Sequence, residues 1–214
     1  MSHDIASIRR NYSQKSLSED SIEKSAIAQF DKWWQEAIAS GIDEVNAMTL
    51  ATASADGIPS ARIVLLKGFS DKGFIFFTNY NSYKGKQLSE NPKACLVFFW
   101  KELERQVRIT GVVQKLSAAE SDEYFYSRPL GSQIGAAVSP QSTIIDSREW
   151  LEEKYREIEE KSVSEKIERP SHWGGFMVMP VLIEFWQGRP SRLHDRIEYS
   201  LQENGEWKAE RLAP

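Results

Sequence analysis

The sequence predicts an α+β fold in which an antiparallel β-barrel is surrounded by helices. Short β-rich segments separated by turn signals fill the centre of the chain, at 47–54, 60–69, 73–79, 93–100 and 105–116. Stretches with apolar residues at helical spacing lie before and after this set. No G-x-G-x-x-G motif follows a strand, so the main sequence argument for a parallel Rossmann sheet is missing.

Local signals predict the elements that precede and interrupt the barrel strands. Residues 1–20 are polar and predict a flexible N-terminal arm, whereas residues 21–214 predict a single domain. An amphipathic helix is expected from Ile22, with Gly41 as its stop. A second, short helix is expected after the third strand and should end before Pro92.

Two more helices and three returning strands are expected in the second half of the chain. Ser117 and Glu120 have the spacing of a capping box, and Pro129 should end that helix at Arg128. A charged helix should follow from about Ser147 to Lys166. The returning strands are expected at 174–186, 191–201 and 207–214.

Composition and charge exclude several classes of protein. The 214 residues are 41% hydrophobic, which allows one substantial core or two small ones. A net charge of -4 argues against a general nucleic-acid binder. The single cysteine excludes an internal disulfide, and the histidines have no metal-ligand spacing, so no metal is expected. The apolar runs are too short for a bilayer and no signal core precedes them, so a cytoplasmic protein without membrane partners is expected.

Two groups of polar residues in the central strands have both a functional and an ordinary interpretation. Arg62 and Lys67 are five residues apart, so on a regular strand they would face opposite sides. Either one of them is merely exposed, or the strand ends before Lys67 and the lysine reaches a site. Gln106, Arg108 and Thr110 share one strand face, which is more often a solvent face than a ligand contact.

Two further groups could bind phosphate. Thr78, Ser82 and Lys84 lie where a loop enters a helix, which suits an anion, although helix capping explains the serine equally well. Tyr124 and Arg128 are at i, i+4 spacing, and Ser132 could cap the next short helix. Together they suit a phosphate monoester, and a surface Tyr-Arg stack is the alternative.

The segment FWQGRPSRLHDR carries the densest cationic group. On a strand, Arg192, His194 and Arg196 would point to one face and repel one another, unless an anion or a carboxylate such as Glu184 offsets them. Trp186 supplies a flat apolar wall just upstream. Dispersed cationic groups without metal ligands or a nucleophile unit indicate that a bound organic cofactor carries the chemistry.

At this point the chain resembles the pyridoxamine 5′-phosphate oxidase family. The resemblance covers nearly the full length and rests on eight segments in the family's order and spacing: RIVLLKG, FFTNYNSYKGKQ, ERQVRITG, YFYSRPLGSQIGAAVSPQS, HWGGF, IEFWQG, RLHDR and RLAP. It implies an antiparallel split β-barrel of the FMN-binding type with surrounding helices. It also implies a homodimer with FMN at the subunit interface.

The resemblance assigns roles residue by residue. By match to the family's motifs, the FMN contacts would be Arg62, Ile63, Val64, Leu65, Leu66, Lys67, Phe77, Thr78, Tyr83, Lys84, Gln106, Gln141, Ser142, Trp186 and Arg196. The substrate contacts would be Lys67, Tyr124, Arg128, Ser132, Arg192, Leu193 and His194, together with Arg9, Arg10, Asn11 and Tyr12 from an N-terminal segment that can close over the substrate. The catalytic candidates are Arg192 and His194, which would orient the reacting carbon, with His194 also a candidate for proton transfer.

The reaction implied is the oxidation of pyridoxine 5′-phosphate or pyridoxamine 5′-phosphate to pyridoxal 5′-phosphate, a step of vitamin B6 salvage. Hydride leaves the C4′ carbon of the substrate for the flavin, oxygen is the final acceptor and hydrogen peroxide is formed; the amine also releases ammonia. Two residues depart from the family's pattern: Tyr83 replaces a common arginine, and Phe77 replaces a common tyrosine. Weaker FMN binding is expected from the lost charge, but not its loss, because Arg62 and Lys84 remain.

Two alternatives stay open at the level of sequence. Another split-barrel enzyme, such as an FMN-dependent reductase, would need the FMN contacts but not Tyr124, Arg128, Ser132 and the RLHDR segment together. A non-catalytic protein that binds pyridoxal 5′-phosphate would be purified without flavin.

Overall fold

The computed structural model describes residues 11–214. Within this range the α-helices are α1 (Ala26–Ala39), α2 (Tyr83–Glu90), α3 (Ala118–Ser127), α4 (Leu130–Val138) and α5 (Arg148–Lys161). The strands are β1 (Ala47–Ala53), β2 (Pro59–Leu65), β3 (Gly68–Ser70), β4 (Gly73–Asn79), β5 (Lys93–Trp100), β6 (Arg105–Lys115), β7 (Trp173–Gln187), β8 (Asp195–Leu201) and β9 (Trp207–Leu212).

The strands of the described chain belong to one sheet, in the order β2-β1-β5-β6-β7-β4-β3, with β8 paired to β7 and β9 paired to β8. The pairs β3–β4, β4–β7, β7–β8 and β8–β9 are antiparallel. Strand β7 has three partners: besides β6, it pairs with β4 through its first half and with β8 through its second half. The predicted α+β class with an antiparallel sheet is confirmed.

The chain divides into two compact units. The first unit contains the chain up to Thr49, Cys95–Thr110 and Pro180–Pro214, and the second contains Leu50–Ala94 and Gly111–Met179. Strands β1, β5, β6 and β7 each have residues in both units. The prediction of a single domain over 21–214 therefore stays a prediction, and each unit is described by itself.

In the first unit, helix α1 covers the aromatic part of the core. The helix begins after Ser25, whose side chain accepts hydrogen bonds from two backbone N–H groups of the first turn. Phe30 and Trp33 are buried on its inner face. The Phe30 ring lies 5.3 Å from that of Phe98, and the Trp33 ring lies 5.2 Å from that of Phe185. The helix is amphipathic, as predicted, and its buried face makes these contacts. It starts at Ala26 and not at Ile22.

In the second unit, two glycines let strand β7 approach helix α3 closely. A Cβ on Gly174 would overlap the Tyr80 hydroxyl, and a Cβ on Gly175 would lie 2.5 Å from Leu116 Cδ1. The backbone N–H of Gly175 donates to Ser121 Oγ on α3 at 3.2 Å, and the Tyr80 hydroxyl donates to the Gly175 carbonyl at 3.2 Å. Side chains at these two positions would push the helix off the strand.

The helix ends follow local signals. The capping box at the start of α3 is confirmed: the Ser117 N–H donates to Glu120 Oε2 at 2.9 Å, and the Glu120 N–H donates to Ser117 Oγ at 3.2 Å. The helix ends at Ser127, before Arg128, as Pro129 predicts. Helix α5 is capped by Ser147, as expected, but ends at Lys161, five residues before the predicted Lys166.

Part of the predicted N-terminal arm is hydrogen-bonded to later residues of the first unit. The backbone N–H groups of Ser13 and Gln14 donate to the Glu104 carboxylate at 2.8 and 3.1 Å. Leu17 is buried, and its N–H donates to Asp195 Oδ2 at 3.0 Å. The flexible arm over 1–20 stays a prediction, but residues 13–17 are tied down by these bonds. No helix in the described part of the chain is long and apolar enough to span a membrane.

Candidate functional site

A cavity of about 660 Å³ lies in the second unit. Four basic side chains line it: Arg62, Lys67, Lys84 and Arg128. Among the described residues, no aspartate or glutamate lines the cavity. Four like charges gathered without acidic partners repel one another, and an anion bound among them offsets this repulsion. The cavity therefore has the composition of an anion-binding site.

Arg62 lies within strand β2, whereas Lys67 follows the end of that strand. Strand β2 ends at Leu65, so the strict alternation of faces no longer applies at Lys67. Both basic residues line the same cavity. The strand does end before the lysine, but Lys67 is also exposed, so its role in a site stays a prediction.

Neutral hydrogen-bond acceptors hold Arg62. Its guanidinium donates to Thr52 Oγ1 and Ser60 Oγ, both at 2.6 Å, and to the Leu50 carbonyl at 3.2 Å. The two hydroxyls in turn donate to Gln87 Oε1 at 2.5 and 2.7 Å. Burial lowers the pKa of Arg62, which still remains protonated because a guanidinium ordinarily loses its proton only above pH ~12. Because none of these partners is charged, the positive charge of Arg62 stays available to a ligand.

Lys84 is held in the same way. Its Nζ lies 3.0 Å from Gln141 Oε1, 3.3 Å from Thr78 Oγ1 and 3.5 Å from Ser82 Oγ. Burial lowers the pKa of Lys84 most, and the nearby charge of Arg62 lowers it further. A bound anion would act in the opposite direction and favour the charged form of Lys84.

The loop before α2 places Lys84 in the cavity wall. Ser82 is fully buried, its hydroxyl donates to the Asn79 carbonyl at 2.6 Å, and it accepts the Gly85 N–H at 3.3 Å. The serine is thus a helix cap, as the ordinary interpretation has it. Thr78 and Lys84 meet beside it, and anion binding by this group stays a prediction. Tyr83, in contrast, is 60% exposed and does not line the cavity.

An aromatic stack forms one wall of the cavity. The Phe77 and Tyr124 rings lie 3.9 Å apart at 22°, and Trp173 lies 5.5 Å from Phe77 on the same stack. The Arg128 guanidinium lies over the Trp173 ring, with Cζ 4.6 Å from the ring centroid. Tyr124 and Arg128 therefore line the cavity together, as their spacing predicts.

Ser132 lines the cavity but does not cap the following helix, so that prediction is wrong. Pro129 occupies the N-cap position of α4, and Ser132 is inside the first turn, where its N–H donates to the Pro129 carbonyl at 2.9 Å. The φ of −53° that proline imposes lets α4 begin directly after α3. The Ser132 hydroxyl is left without a capping role and can serve a ligand.

A second group of predicted residues lies in the first unit. The Trp186 and His194 rings are 4.6 Å apart, and the Tyr12 ring is 5.8 Å from Trp186 and 6.0 Å from His194. Gly188 makes room for Tyr12, because a Cβ on this glycine would lie 2.7 Å from Tyr12 Cγ. The tyrosine of the predicted N-terminal segment thus packs against the predicted catalytic histidine.

The prediction that Arg192, His194 and Arg196 share one strand face is wrong. Pro190–Arg192 form a 3₁₀ turn with φ of 57° at Ser191 and 63° at Arg192, and strand β8 begins only at Asp195. Proline has no N–H to give to a sheet, and left-handed residues break the two-residue alternation. Of the three cationic residues, only Arg196 lies on β8.

The loop conformation fixes the protonation of His194. The backbone N–H of Arg189 donates to His194 Nδ1 at 3.0 Å, which requires a lone pair on that nitrogen. The neutral ring therefore carries its proton on Nε2. Burial lowers the pKa of His194, the charge of Arg192 lowers it further, and Asp195 acts in the opposite direction.

Arg196 has a buried acidic partner, as the sequence analysis allowed. Glu184 is 2% exposed, and its two carboxylate oxygens accept hydrogen bonds from Arg196 at 3.0 and 3.1 Å. Arg108 approaches the same carboxylate at 3.3 Å. Glu184 raises the pKa of Arg196 through these hydrogen bonds. The charge of Arg196 is therefore offset inside the protein by Glu184.

The predicted site residues that lie in the described part of the chain fall into three sets. Those that line the cavity of the second unit are Arg62, Ile63, Val64, Leu65, Lys67, Phe77, Thr78, Lys84, Tyr124, Arg128, Ser132 and Gln141. Those of the same unit outside the lining are Leu66, Tyr83 and Ser142. Those of the first unit are Asn11, Tyr12, Gln106, Trp186, Arg192, Leu193, His194 and Arg196. Arg9 and Arg10 lie outside the described residues.

Several residues of the site were not among those predicted from the sequence, and two of them matter most for the side chains that could bind a ligand. Trp173 lines the cavity, and Gln87 accepts the hydroxyls that hold Arg62. Trp173 stands in the HWGGF segment that carries the family resemblance, so a signal for it was present. Gln87 had no such signal, because it lies on helix α2 and its role depends on Thr52 of β1 and Ser60 of β2.

The fold and the cavity together define an antiparallel α+β split-barrel protein with a cavity lined by basic residues. The chain belongs to the pyridoxamine 5′-phosphate oxidase family. Residues 34–162 match the family model described as pyridoxamine 5′-phosphate oxidase, and residues 173–214 match the pyridoxine 5′-phosphate oxidase C-terminal dimerisation region.

Curated relatives are similar over the whole chain. The pyridoxine/pyridoxamine 5′-phosphate oxidase of Trichormus variabilis is 55% identical over 214 residues, which is all of both chains. The chloroplastic pyridoxine/pyridoxamine 5′-phosphate oxidase 1 of Arabidopsis thaliana is 52% identical over 215 residues, 99% of this chain and 41% of the plant protein.

Solved structures share the fold. PhzG from Burkholderia lata 383, in complex with tetrahydrophenazine-1-carboxylic acid, matches with a TM-score of 0.88 and 29% identity over 94% of this chain and 100% of that one. A pyridoxamine 5′-phosphate oxidase-related, FMN-binding protein from Nostoc punctiforme matches with a TM-score of 0.73 and 18% identity over 90% of this chain and 100% of that one. The second likeness concerns the fold alone.

Proposed function

We propose that the chain is an FMN-dependent oxidase that converts pyridoxine 5′-phosphate and pyridoxamine 5′-phosphate to pyridoxal 5′-phosphate. Oxygen is the electron acceptor, hydrogen peroxide is formed, and the amine substrate also releases ammonia. The observation that carries the proposal is the cavity with four basic side chains and, among the described residues, no acidic one. Relatives that are 55% identical over all of both chains bear the name of this oxidase.

The residues of the cavity fit the phosphate of FMN. Arg62 and Lys84 are both held by neutral partners and so retain charge for an anion. Thr78 and Gln141 add hydrogen-bonding groups beside Lys84. We propose as FMN contacts the residues that the family resemblance assigns: Arg62, Ile63, Val64, Leu65, Leu66, Lys67, Phe77, Thr78, Tyr83, Lys84, Gln106, Gln141, Ser142, Trp186 and Arg196. Because Tyr83 carries no charge, FMN binding should be weaker than with an arginine at this position.

A second phosphate fits the same cavity. Lys67, Tyr124, Arg128 and Ser132 line it, and Arg128 Nη1 is buried without a hydrogen-bond partner among the described residues. A guanidinium, an ammonium and two hydroxyls match the oxygens of a phosphate monoester. We assign these four residues to the substrate phosphate. Asn11, Tyr12, Arg192, Leu193 and His194 complete the proposed substrate contacts, with Arg9 and Arg10, which lie outside the described residues.

The task of the chain's own residues is alignment and protonation control. When bound, FMN supplies the acceptor for the hydride that leaves C4′ of the substrate. Arg128 and Lys67 bind the phosphate and so fix the position of the ring. His194 and Arg192 orient the substituent on C4′; His194 donates from Nε2, because its Nδ1 is engaged by the Arg189 N–H. A neutral imidazole can donate this hydrogen bond without adding charge to the site.

The assembly and location belong to the same proposal. We infer a homodimer, because residues 173–214 match the family's dimerisation region. We also propose, after the family pattern, that FMN binds at the subunit interface and that the protein is cytoplasmic. Size-exclusion chromatography with light scattering should give about twice the chain mass of 24.5 kDa.

One experiment separates this proposal from the alternatives. The purified protein should be yellow, with a flavin absorption band, and should consume oxygen when pyridoxine 5′-phosphate is added. A colourless protein that binds pyridoxal 5′-phosphate would identify a non-catalytic binder, whereas bound flavin without oxygen consumption would point to a reductase. Arg192→Ala and His194→Ala should each reduce turnover at least ~100-fold with FMN still bound. Normal turnover by either variant would contradict its assignment.

A further inference from the structure

The Arg128 side chain is half-buried, and no acidic residue of the described chain forms an ion pair with it. Arg128 is the C-cap residue of α3, and its Nη1 has no hydrogen-bond partner among the described residues. Burial lowers the pKa of Arg128, and Tyr124 acts in the opposite direction. A buried charge with an unpaired donor is costly unless the surroundings or a ligand compensate it.

Aromatic faces take the place of a carboxylate partner. Arg128 Cζ lies 4.6 Å from the centroid of the Trp173 ring and 5.9 Å from that of Phe125. A guanidinium over a ring face is attracted by the negative potential of the π system. This attraction leaves the N–H groups at the guanidinium edge free, whereas a carboxylate would occupy two of them.

Trp173 is fixed by the stack and by the sheet. It is 6% exposed, and its ring is nearly parallel to those of Tyr124, at 8°, and Phe77, at 15°. Its backbone is paired with Asn79 of β4, at the first position of β7. A ring held on so many sides offers Arg128 a rigid platform.

We propose that Trp173 is a positioning residue for recognition of the substrate phosphate: its ring face holds the Arg128 guanidinium and keeps the N–H edge available to the phosphate oxygens. The inference rests on the proposed function, because that function supplies the phosphate. If Trp173 only filled the core, its replacement would weaken stability and FMN binding without a selective effect on phosphate. A positioning role predicts a selective loss of phosphate affinity.

The first test compares Trp173→Leu with Trp173→Phe in the FMN-loaded, full-length protein. Trp173→Leu removes the ring, and KM for pyridoxine 5′-phosphate should rise about three- to thirtyfold, the range of a cation–π contact, with kcat changed less than about twofold. Trp173→Phe keeps a ring and should recover most of the affinity. Trp207→Leu is the matched control, because this residue of β9 does not line the cavity and KM should stay at the wild-type value. An unchanged KM in Trp173→Leu would overturn the inference.

The second test uses inorganic phosphate, so that it does not depend on turnover. Isothermal titration should show weaker phosphate binding for Trp173→Leu than for the wild type. In the Arg128→Ala background, adding Trp173→Leu should not change the phosphate affinity further. An equal loss in both backgrounds would mean that Trp173 does not act through Arg128. If the wild type binds phosphate and FMN but oxidises no substrate, the proposed function fails while this test still decides the role of Trp173.

A third variant covers the case in which Trp173→Leu does not fold. Site-specific replacement of Trp173 by mono-, di- and trifluorotryptophan weakens the negative potential of the ring face stepwise with little change in shape. The dissociation constant for phosphate should rise with each fluorine, while the flavin spectrum and FMN affinity stay constant. A dissociation constant independent of fluorination would overturn the inference.

Discussion

Glu184 is almost fully buried, yet its carboxylate faces two guanidinium groups, those of Arg196 and Arg108. Removing one member of a buried ionic group leaves the remaining charge without compensation, which is where the main cost lies. Glu184→Ala should therefore lower the free energy of unfolding by about 3 kcal/mol, measured by urea denaturation. Glu184→Gln, which keeps one acceptor, should cost less. The control is Glu157→Gln, at an exposed ion pair with Lys154, which should change stability little. A Glu184→Ala protein as stable as the wild type would contradict this account.

His194 gives a residue-level prediction about pH. Burial and the charge of Arg192 both lower its pKa, so the ring should titrate below the ordinary value of about 6.5. Arg192→Ala removes a positive charge that disfavours imidazolium, and the pKa of His194 should therefore rise. Nitrogen-15 NMR of labelled histidine should report both titrations and should show the proton of the neutral ring on Nε2. A lower pKa in the variant, or a proton on Nδ1, would contradict the geometry of the 188–194 loop.

At the scale of elements, the close packing of strand β7 against helix α3 depends on Gly174 and Gly175. Gly174→Ala would place a methyl group on the Tyr80 hydroxyl and 2.9 Å from Ser121 Oγ. The overpacking should destabilise the protein by about 1–3 kcal/mol, measured by thermal unfolding. Gly135→Ala in α4 is the control: a Cβ there meets nothing within 4 Å, and alanine should stabilise the helix by up to about 1 kcal/mol. Equal effects of the two substitutions would show that the close approach does not limit stability.

Elements defined by neighbouring residues could be predicted from the sequence, whereas those defined by distant contacts could not. The ends of α3 depend on Ser117, Glu120 and Pro129, each within a few residues of the end it sets, and both were predicted correctly. The turn at Pro190–Arg192 was predicted as a strand, because its sequence alternates although two of its residues have positive φ. Such residues are usually glycine or asparagine, and a serine and an arginine give no warning.

At the scale of the whole molecule, the acidic chain and the basic cavity have opposite charge. The chain carries a net charge of -4, but the cavity collects four basic residues from three separate parts of the sequence. Composition could therefore exclude a polyanion partner but could not indicate how many small anions bind. The sequence identified each of the four basic residues as a candidate, and only the fold brought them into one cavity. The neutral partners of Arg62 and Lys84 could not be predicted, since Thr52 meets Arg62 and Gln141 meets Lys84 through tertiary contacts.

The same charge arrangement predicts how the whole protein responds to its cofactor. FMN at 100 times its dissociation constant should stabilise the folded chain by about 2.7 kcal/mol, which for this length means a melting temperature about 5–10 °C higher. Riboflavin has the same ring system without the phosphate, so it should stabilise the protein much less if Arg62 and Lys84 hold that phosphate. Lys84→Met removes one of the two charges, and it should narrow the difference between FMN and riboflavin while leaving the riboflavin effect unchanged. Differential scanning fluorimetry at matched ligand concentrations measures all four combinations. If riboflavin raises the melting temperature of the wild type as much as FMN does, the anchoring of the cofactor phosphate by these two cations is wrong.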